Sequence, residues 1–204
     1  MDTFLPLPGP SFKGKVSLEE AINSRRTIRE FRPNPLTREQ LSQVLWAAHG
    51  ITEERGFKRA IPSAGALYPL DLYVLTGGNG VSGLEDGLYH FHPQGHRLSR
   101  VKAGDWRRDL AQASLSQSWM ARAPVMLLIT GEYERCSRKY RQRGIRYTHI
   151  EAGHMGQNIF LQAEALGLGA GIVGAFDNQR IVETAGLPIS HDPILLMPVG
   201  YKNE

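Results

Sequence analysis

The sequence is nearly without cysteine: Cys136 is the single thiol in 204 residues, so no intrachain disulfide can form. None is needed, because a domain of this length removes roughly 70% of its unfolded surface from water on folding. That cysteine usage fits a reducing compartment. No run reaches the roughly 18 apolar residues of a membrane helix. The apolar, proline-rich start from Met1 to Gly9 lacks the basic n-region of a secretory signal. A cytoplasmic protein is therefore expected. Internal repeats and low-complexity tracts are absent, and the expected organisation is an arm over residues 1–16 followed by one domain over 17–204.

Metal-binding patterns are thin as well. His90, His92 and His96 fall on an expected hairpin, with no carboxylate or cysteine beside them to complete a ligand set. His149 and His154 stand five apart and so point to different helix faces, unlike the two histidines of the H-E-x-x-H zinc motif. No metal is expected. Gly169-Ala170-Gly171-Ile172-Val173-Gly174 has the letters of a dinucleotide-binding turn. That turn works only between a strand and the start of a helix. Here a helical pattern precedes it and the next helix begins after Phe176, so a Rossmann site is not expected. The basic neighbours of Cys136 could lower its pKa, but a lone cysteine is usually a small apolar residue.

Charge of one sign does gather in one place. The formal net charge is only +4, yet Arg135, Arg138, Lys139, Arg141, Arg143 and Arg146 crowd one stretch. The first reading is a solvated helix face. A patch attracting a phosphate-bearing reductant or an acidic substrate comes next, and a basic, non-enzymatic nucleic-acid-binding module third. No nucleic-acid-binding signature accompanies the charge.

Local patterns place the elements. Ser17-Leu18-Glu19-Glu20 is a capping box opening a helix expected to bury Leu18, Ala21 and Ile22 and to end near Arg29. Thr37-Arg38-Glu39-Gln40 is a second box, whose helix buries Leu41, Val44, Leu45 and Ala48 and stops at Gly50. Strands are expected over Leu70–Thr76, in a hairpin from Gly87 to Arg100, over Pro124–Thr130 and over Pro193–Tyr201. Further helices are expected near Trp106–Ser114, Glu132–Gln142, Thr148–Leu166 and from Asp177 to Gly186. The irregular order of strands among helices predicts an α+β sandwich rather than a βαβ repeat.

Three segments carry chemistry. Arg25-Arg26-Thr27-Ile28-Arg29 offers planar guanidinium donors and a hydroxyl suited to a phosphate; arginines complementing a helix C-terminus are the bland alternative. Pro62-Ser63-Ala64-Gly65-Ala66-Leu67-Tyr68 lets backbone approach a flat ligand that Leu67 and Tyr68 could cover, or is a plain turn. Gly169 to Phe176 either presents backbone N–H groups to a ligand or is a tightly packed strand.

In this order, and with Glu151-Ala152-Gly153-His154, Gln157-Asn158, Ala165-Leu166-Gly167-Leu168-Gly169 and Pro198-Val199-Gly200-Tyr201, these segments resemble the nitroreductase superfamily, in its branch of stand-alone SagB-type dehydrogenases. The resemblance spans about residues 17–201. It implies a three-layer α/β/α sandwich with a mixed, mainly antiparallel sheet, in an intertwined homodimer holding FMN between subunits. It implies that Arg25, Thr27 and Arg29, with Arg26 beside them and Lys202 beyond the last strand, hold the phosphate. Pro62, Ser63, Ala64, Gly65 and Leu67 would meet the flavin of the other subunit, Gln117 would read its pyrimidine edge, and Val173, Gly174 and Ala175 would lie near N5. Tyr147 and His154 are the candidate proton donors.

The implied activity is hydride transfer from NAD(P)H through FMN to a small acceptor such as a nitroaromatic or quinone, without nucleic acid or membrane as partner. The alternative is a dehydrogenase of a peptide or azoline heterocycle, its FMN reoxidised by oxygen. Azoline-oxidising relatives use a lysine–tyrosine pair, and the resemblance makes Arg146-Tyr147 the candidate for that place; arginine stays protonated and is a poor base. The long helix ending near Leu166 is apolar on more than one face, through Ile150, Met155, Ile159, Phe160 and Leu161, which calls for burial on two sides.

Overall fold

The computed structural model describes residues 4–203; the first three residues of the expected arm and Glu204 of the expected domain lie outside them. Seven strands form one sheet in the order β1-β4-β3-β2-β5-β7-β6: β1 (Phe4–Pro6), β2 (Leu70–Thr76), β3 (Gly87–His92), β4 (Arg97–Ala103), β5 (Val125–Gly131), β6 (Leu168–Ala170) and β7 (Asp192–Tyr201). All the strand pairs are antiparallel. Parallel contact is confined to isolated bridges such as Thr27 with Ala170.

The central strands explain the three layers. Side chains alternate across a strand. Leu72 and Val74 of β2 and Leu127 and Ile129 of β5 therefore enter one core, and Tyr73, Leu75, Met126 and Leu128 enter the other. Helices α2 (Arg38–His49) and α5 (Arg143–Ala165) supply the first core, and α3 (Arg107–Ala113) and α6 (Asn178–Ala185) the second. A strand covered on both faces needs apolar residues throughout, and β5 is buried along its whole length. The expected α+β sandwich is the observed fold.

Short-range signals place most boundaries. Both capping boxes form: the Ser17 and Thr37 side chains accept from the backbone N–H of Glu20 and Gln40, which return the bond to the cap N–H. Asp177 caps α6, and Gly186 ends it in the left-handed conformation, φ 63°.

Two expectations are corrected. Helix α1 (Leu18–Ser24) ends five residues before Arg29, because the Ile28 N–H is taken by the Ala170 carbonyl at 2.8 Å and Thr27 pairs with β6. Of its expected core residues only Ala21 is buried; Leu18 and Ile22 are exposed in the single subunit. Helix α5 starts five residues earlier than expected, at Arg143, after the left-handed Arg141. Its close fit against α4 (Tyr133–Tyr140) depends on Gly144, where a Cβ would lie 2.6 Å from the Ser137 nitrogen.

Candidate flavin and active site

The extended segment after α1 changes the meaning of the arginine cluster. Arg25, Thr27 and Arg29 are spaced by two, so in extended backbone they share one side while Arg26 and Ile28 take the other. Ile28 packs where Gly169 and Gly171 leave room; a Cβ on either would lie 2.7–2.8 Å from Ile28 or Trp119 atoms. Those two glycines are thus explained by packing. Arg26 turns back to the carbonyls of Asn23 and Arg25. Arg25 lies over the Phe160 ring at 5.1 Å and Arg29 over Trp119 at 5.8 Å. Among the described residues neither forms a salt bridge, so two guanidinium groups stand on one edge of the sheet without an acidic partner there.

The basic stretch between Arg135 and Arg146 differs. Arg135 is held by Asp71 at 2.8 Å and Glu132 at 2.6 Å, and Arg138 by Glu134 at 3.2 Å. Lys202 lies near the arginine cluster through the bridge of Phe31 with Lys202, but its ammonium donates to Glu164 at 2.7 Å.

Gln117 donates to the carbonyls of Ser114 and Ala175, at 3.0 and 3.3 Å, which ties it to the Val173–Ala175 segment. The Val173 N–H is bonded to the Leu196 carbonyl at 2.8 Å. Gly174 and Ala175 are exposed, and a Cβ on Gly174 would meet nothing nearer than 3.9 Å. The space beside Gly174 is therefore open to a ligand.

The Pro62–Gly65 loop stands apart from this group. It leads through a single 3-10 turn, Ala64–Ala66, into β2. Pro62 and Gly65 are exposed, and Ser63, Ala64 and Leu67 half-buried. Gly65 faces Tyr140 and Lys139 of α4, and Ser63 lies beside Glu151 of α5. Arg25 sits on Phe160, nine residues further along α5, a separation of about 13 Å along the axis at ~1.5 Å per residue.

Tyr147 and His154 are seven apart on α5 and so share a face. Tyr147 meets the edge of Tyr140 at 5.2 Å; His154 is exposed. Exposed Ile145 and Ile150 line a shallow groove on α5 with Arg146 and His149.

Sequence reasoning missed the aromatic platforms Phe160 and Trp119, which no local pattern marks. It also missed Glu151, whose signal was a charged residue within an otherwise apolar stripe. Glu151 is 2% exposed, and neither carboxyl oxygen has a hydrogen-bond partner. Burial pushes its pKa up to about 7, against the opposing influence of Ser63 and Arg59.

The reading of His90 also needs correction, since a carboxylate does stand beside it: Asp71, on the neighbouring strand, at 3.0 Å. Asp71, Glu132 and His191 converge within 4.8 Å, a spacing that could suit a metal. The Arg135 guanidinium, ion-paired with both carboxylates, already supplies the positive charge there. Cys136 is fully buried, and burial raises its thiol pKa.

Comparison with known proteins gives one consistent answer. A model described as "Nitroreductase family" matches residues 22–201. A nitroreductase homologue of Methanocaldococcus jannaschii is 46% identical over 190 residues, 93% of either chain. The crystal structure of a nitroreductase homologue from Ralstonia eutropha superposes with a TM-score of 0.85 at 28% identity, over 98% of this chain and 90% of that one. The NADPH:FMN oxidoreductase of Vibrio harveyi shares the fold, with a TM-score of 0.66 at 21% identity, over 92% and 69% of the two chains. Among the described residues no helix is long and apolar enough to cross a membrane.

Proposed function

The chain belongs to the nitroreductase family, and from that premise we propose that it is an FMN-dependent oxidoreductase, working as a cytoplasmic homodimer that passes reducing equivalents from NAD(P)H to a small acceptor such as a nitroaromatic or quinone. When bound, FMN supplies hydride acceptance and release at N5. The protein's part is to hold, orient and protonate.

The observation that carries this reading is the pair of guanidinium groups, Arg25 and Arg29, without an acidic partner among the described residues and on the same side of an extended segment as Thr27. A phosphate accepts from two such forks and a hydroxyl with charge-assisted bonds. Arg26, and Lys202 once it leaves Glu164, add positive charge. The opening beside Gly174 and Ala175 suits the ring, and Gln117, fixed by Ala175, would meet its pyrimidine edge. With the Val173 N–H engaged, the donors left for N5 are those of Gly174 and Ala175. Tyr147 and His154 share the α5 face from which a proton would come.

Two features favour a pair of subunits. Leu18, Ile22, Ile145 and Ile150 are apolar and exposed. The Ser63 loop stands apart from the arginine cluster along α5, and in an intertwined dimer it would meet the flavin held by the partner's arginines. An exposed arginine at position 146, beside Tyr147, gives no base for azoline oxidation.

The test is the absorption spectrum of the purified protein with release of its chromophore. Wild type should be yellow, sediment as a dimer and release FMN. Arg25→Ala/Arg29→Ala should bind FMN at least ~100-fold more weakly, at about 1.5–3 kcal/mol per charged hydrogen bond, while keeping the wild-type circular dichroism. Colourless wild type with salt-sensitive nucleic-acid binding would support the non-enzymatic reading instead.

A further inference from the structure

The basic stretch after β5 holds two kinds of charge. Arg135 and Arg138 are ion-paired with Asp71, Glu132 and Glu134. Lys139, Arg141 and Arg143 have no ion pair among the described residues, and with Tyr140 and Gln142 they line one surface cavity of about 680 Å³. Small-molecule sites run from roughly 300 to 1,000 Å³, so the space suits one half of a dinucleotide.

A solvated helix face does not account for these three cations. They surround one cavity, and no carboxylate lines it to offset their repulsion. The helix dipole gives no reason for them either. Arg143 opens α5, whose first turn holds no acidic residue, and cations are favoured at the other end of a helix. Arg141 has φ 51°, in the left-handed region where glycine is the comfortable residue. Its carbonyl accepts the Gly144 N–H at 2.9 Å, which closes a sharp corner between α4 and α5. Strain of this kind collects at ligand clamps.

The cavity borders the loop that the proposed function brings to a flavin. A Cβ on Gly65 would lie 2.8 Å from the Tyr140 hydroxyl and 3.1 Å from the Lys139 Nζ. On its other side Tyr140 meets Tyr147, ring to ring at 5.2 Å.

We propose that the Lys139–Arg143 cavity binds the adenosine end of the reductant, with Lys139, Arg141 and Arg143 pairing its ribose 2′-phosphate, so that the enzyme selects NADPH over NADH. The identity of the ligand rests on the proposed function; the anion site itself does not. A phosphate monoester carries about −1.5 to −2 charge at pH 7, and its oxygens match the planar forks of arginine. NADH lacks that group and would leave the three cations facing one another.

Calorimetry on the purified protein compares 2′,5′-ADP with 5′-AMP, which differ only by the 2′-phosphate. Wild type should bind 2′,5′-ADP at least about 30-fold more tightly, as two charge-assisted bonds would give. Arg141→Gly and Arg143→Ala should each weaken 2′,5′-ADP at least about tenfold and leave 5′-AMP unchanged. Both variants should melt no lower than wild type, because one relieves strain and the other takes a cation from a helix N-terminus. The KM for NADPH should rise by the same factor, with kcat and the KM for NADH unchanged. Equal binding of the two nucleotides by wild type, or unchanged 2′,5′-ADP affinity in both variants, would overturn the proposal. So would salt-sensitive binding of duplex DNA that 2′,5′-ADP does not displace. If the nucleotides behave as expected while wild type carries no FMN, the anion site stands and the flavin reading falls. If FMN is bound and NADH serves as well as NADPH, the flavin reading stands and the 2′-phosphate site falls.

Discussion

Two polar clusters are buried close together at one end of the sheet, and they are finished differently. In the first, Asp71 Oδ1 is bonded to His90 at 3.0 Å, Oδ2 has no aligned hydrogen bond but is ion-paired with Arg135 at 2.8 Å, Arg135 also pairs with Glu132, and His191 completes the group. The His191 Nε2 faces Asp71 at 3.6 Å, so the ring proton belongs there and Nδ1 accepts from Tyr73 at 2.8 Å. Burial would raise the Asp71 pKa, but the His90 bond and the Arg135 charge hold it below the ordinary range. In the second cluster Glu151 has no completed bond and Arg59 leaves its Nε unused, although Arg59 donates to His49 at 2.6 Å. In this closed cluster each carboxylate faces a positive charge. The open one carries a cost that the fold does not relieve, and such costs collect at sites that do something.

Mutations should separate the two in sign as well as size. Asp71→Asn leaves Arg135 to Glu132 alone and weakens the acceptor of His90, and should lower stability by about 3 kcal/mol, the low end for breaking a buried ion pair; a loss below about 1 kcal/mol in urea unfolding would mean that the closed cluster holds nothing. Glu151→Gln should act in the opposite direction. The folded-state pKa of about 7 lies above the ordinary 4.5, so the folded protein binds the extra proton between them and stability falls as pH rises across that window. Near pH 8 the charged form costs up to about 3 kcal/mol. The glutamine variant should then be the more stable protein near pH 8 and nearly equal near pH 5. Parallel stability–pH curves for the two would remove the difference between the clusters. At the small end, Arg138 pairs with Glu134 in the open, both side chains more than three-quarters exposed. Arg138→Ala should cost no more than about 0.5 kcal/mol in thermal unfolding, which sets the scale for what Arg135 gains from burial.

The same contrast marks how far the chain could be read unaided. The capping boxes at Ser17 and Thr37, the Asp177 cap with Gly186, and the apolar run of β5 lie within a few residues of what they specify. The arginine cluster was legible as residues but not as geometry: its alternation needs the extended backbone that Ala170 imposes from the neighbouring edge strand. Leu18 and Ile22 look like core by periodicity and stand exposed, because a helical stripe says that a face is apolar and not what covers it.

Sequence by itself determined the elements, the apolar content of the central strands and the presence of a phosphate-suited cluster, since these follow from local sterics, capping and side-chain type. Only the tertiary structure decided that Asp71 meets His90 and Arg135, that Arg25 rests on Phe160, and that Glu151 is buried without a bond. Those contacts join residues from 19 to 135 positions apart in the chain. Strand register and helix packing set them, and no short stretch of sequence contains either.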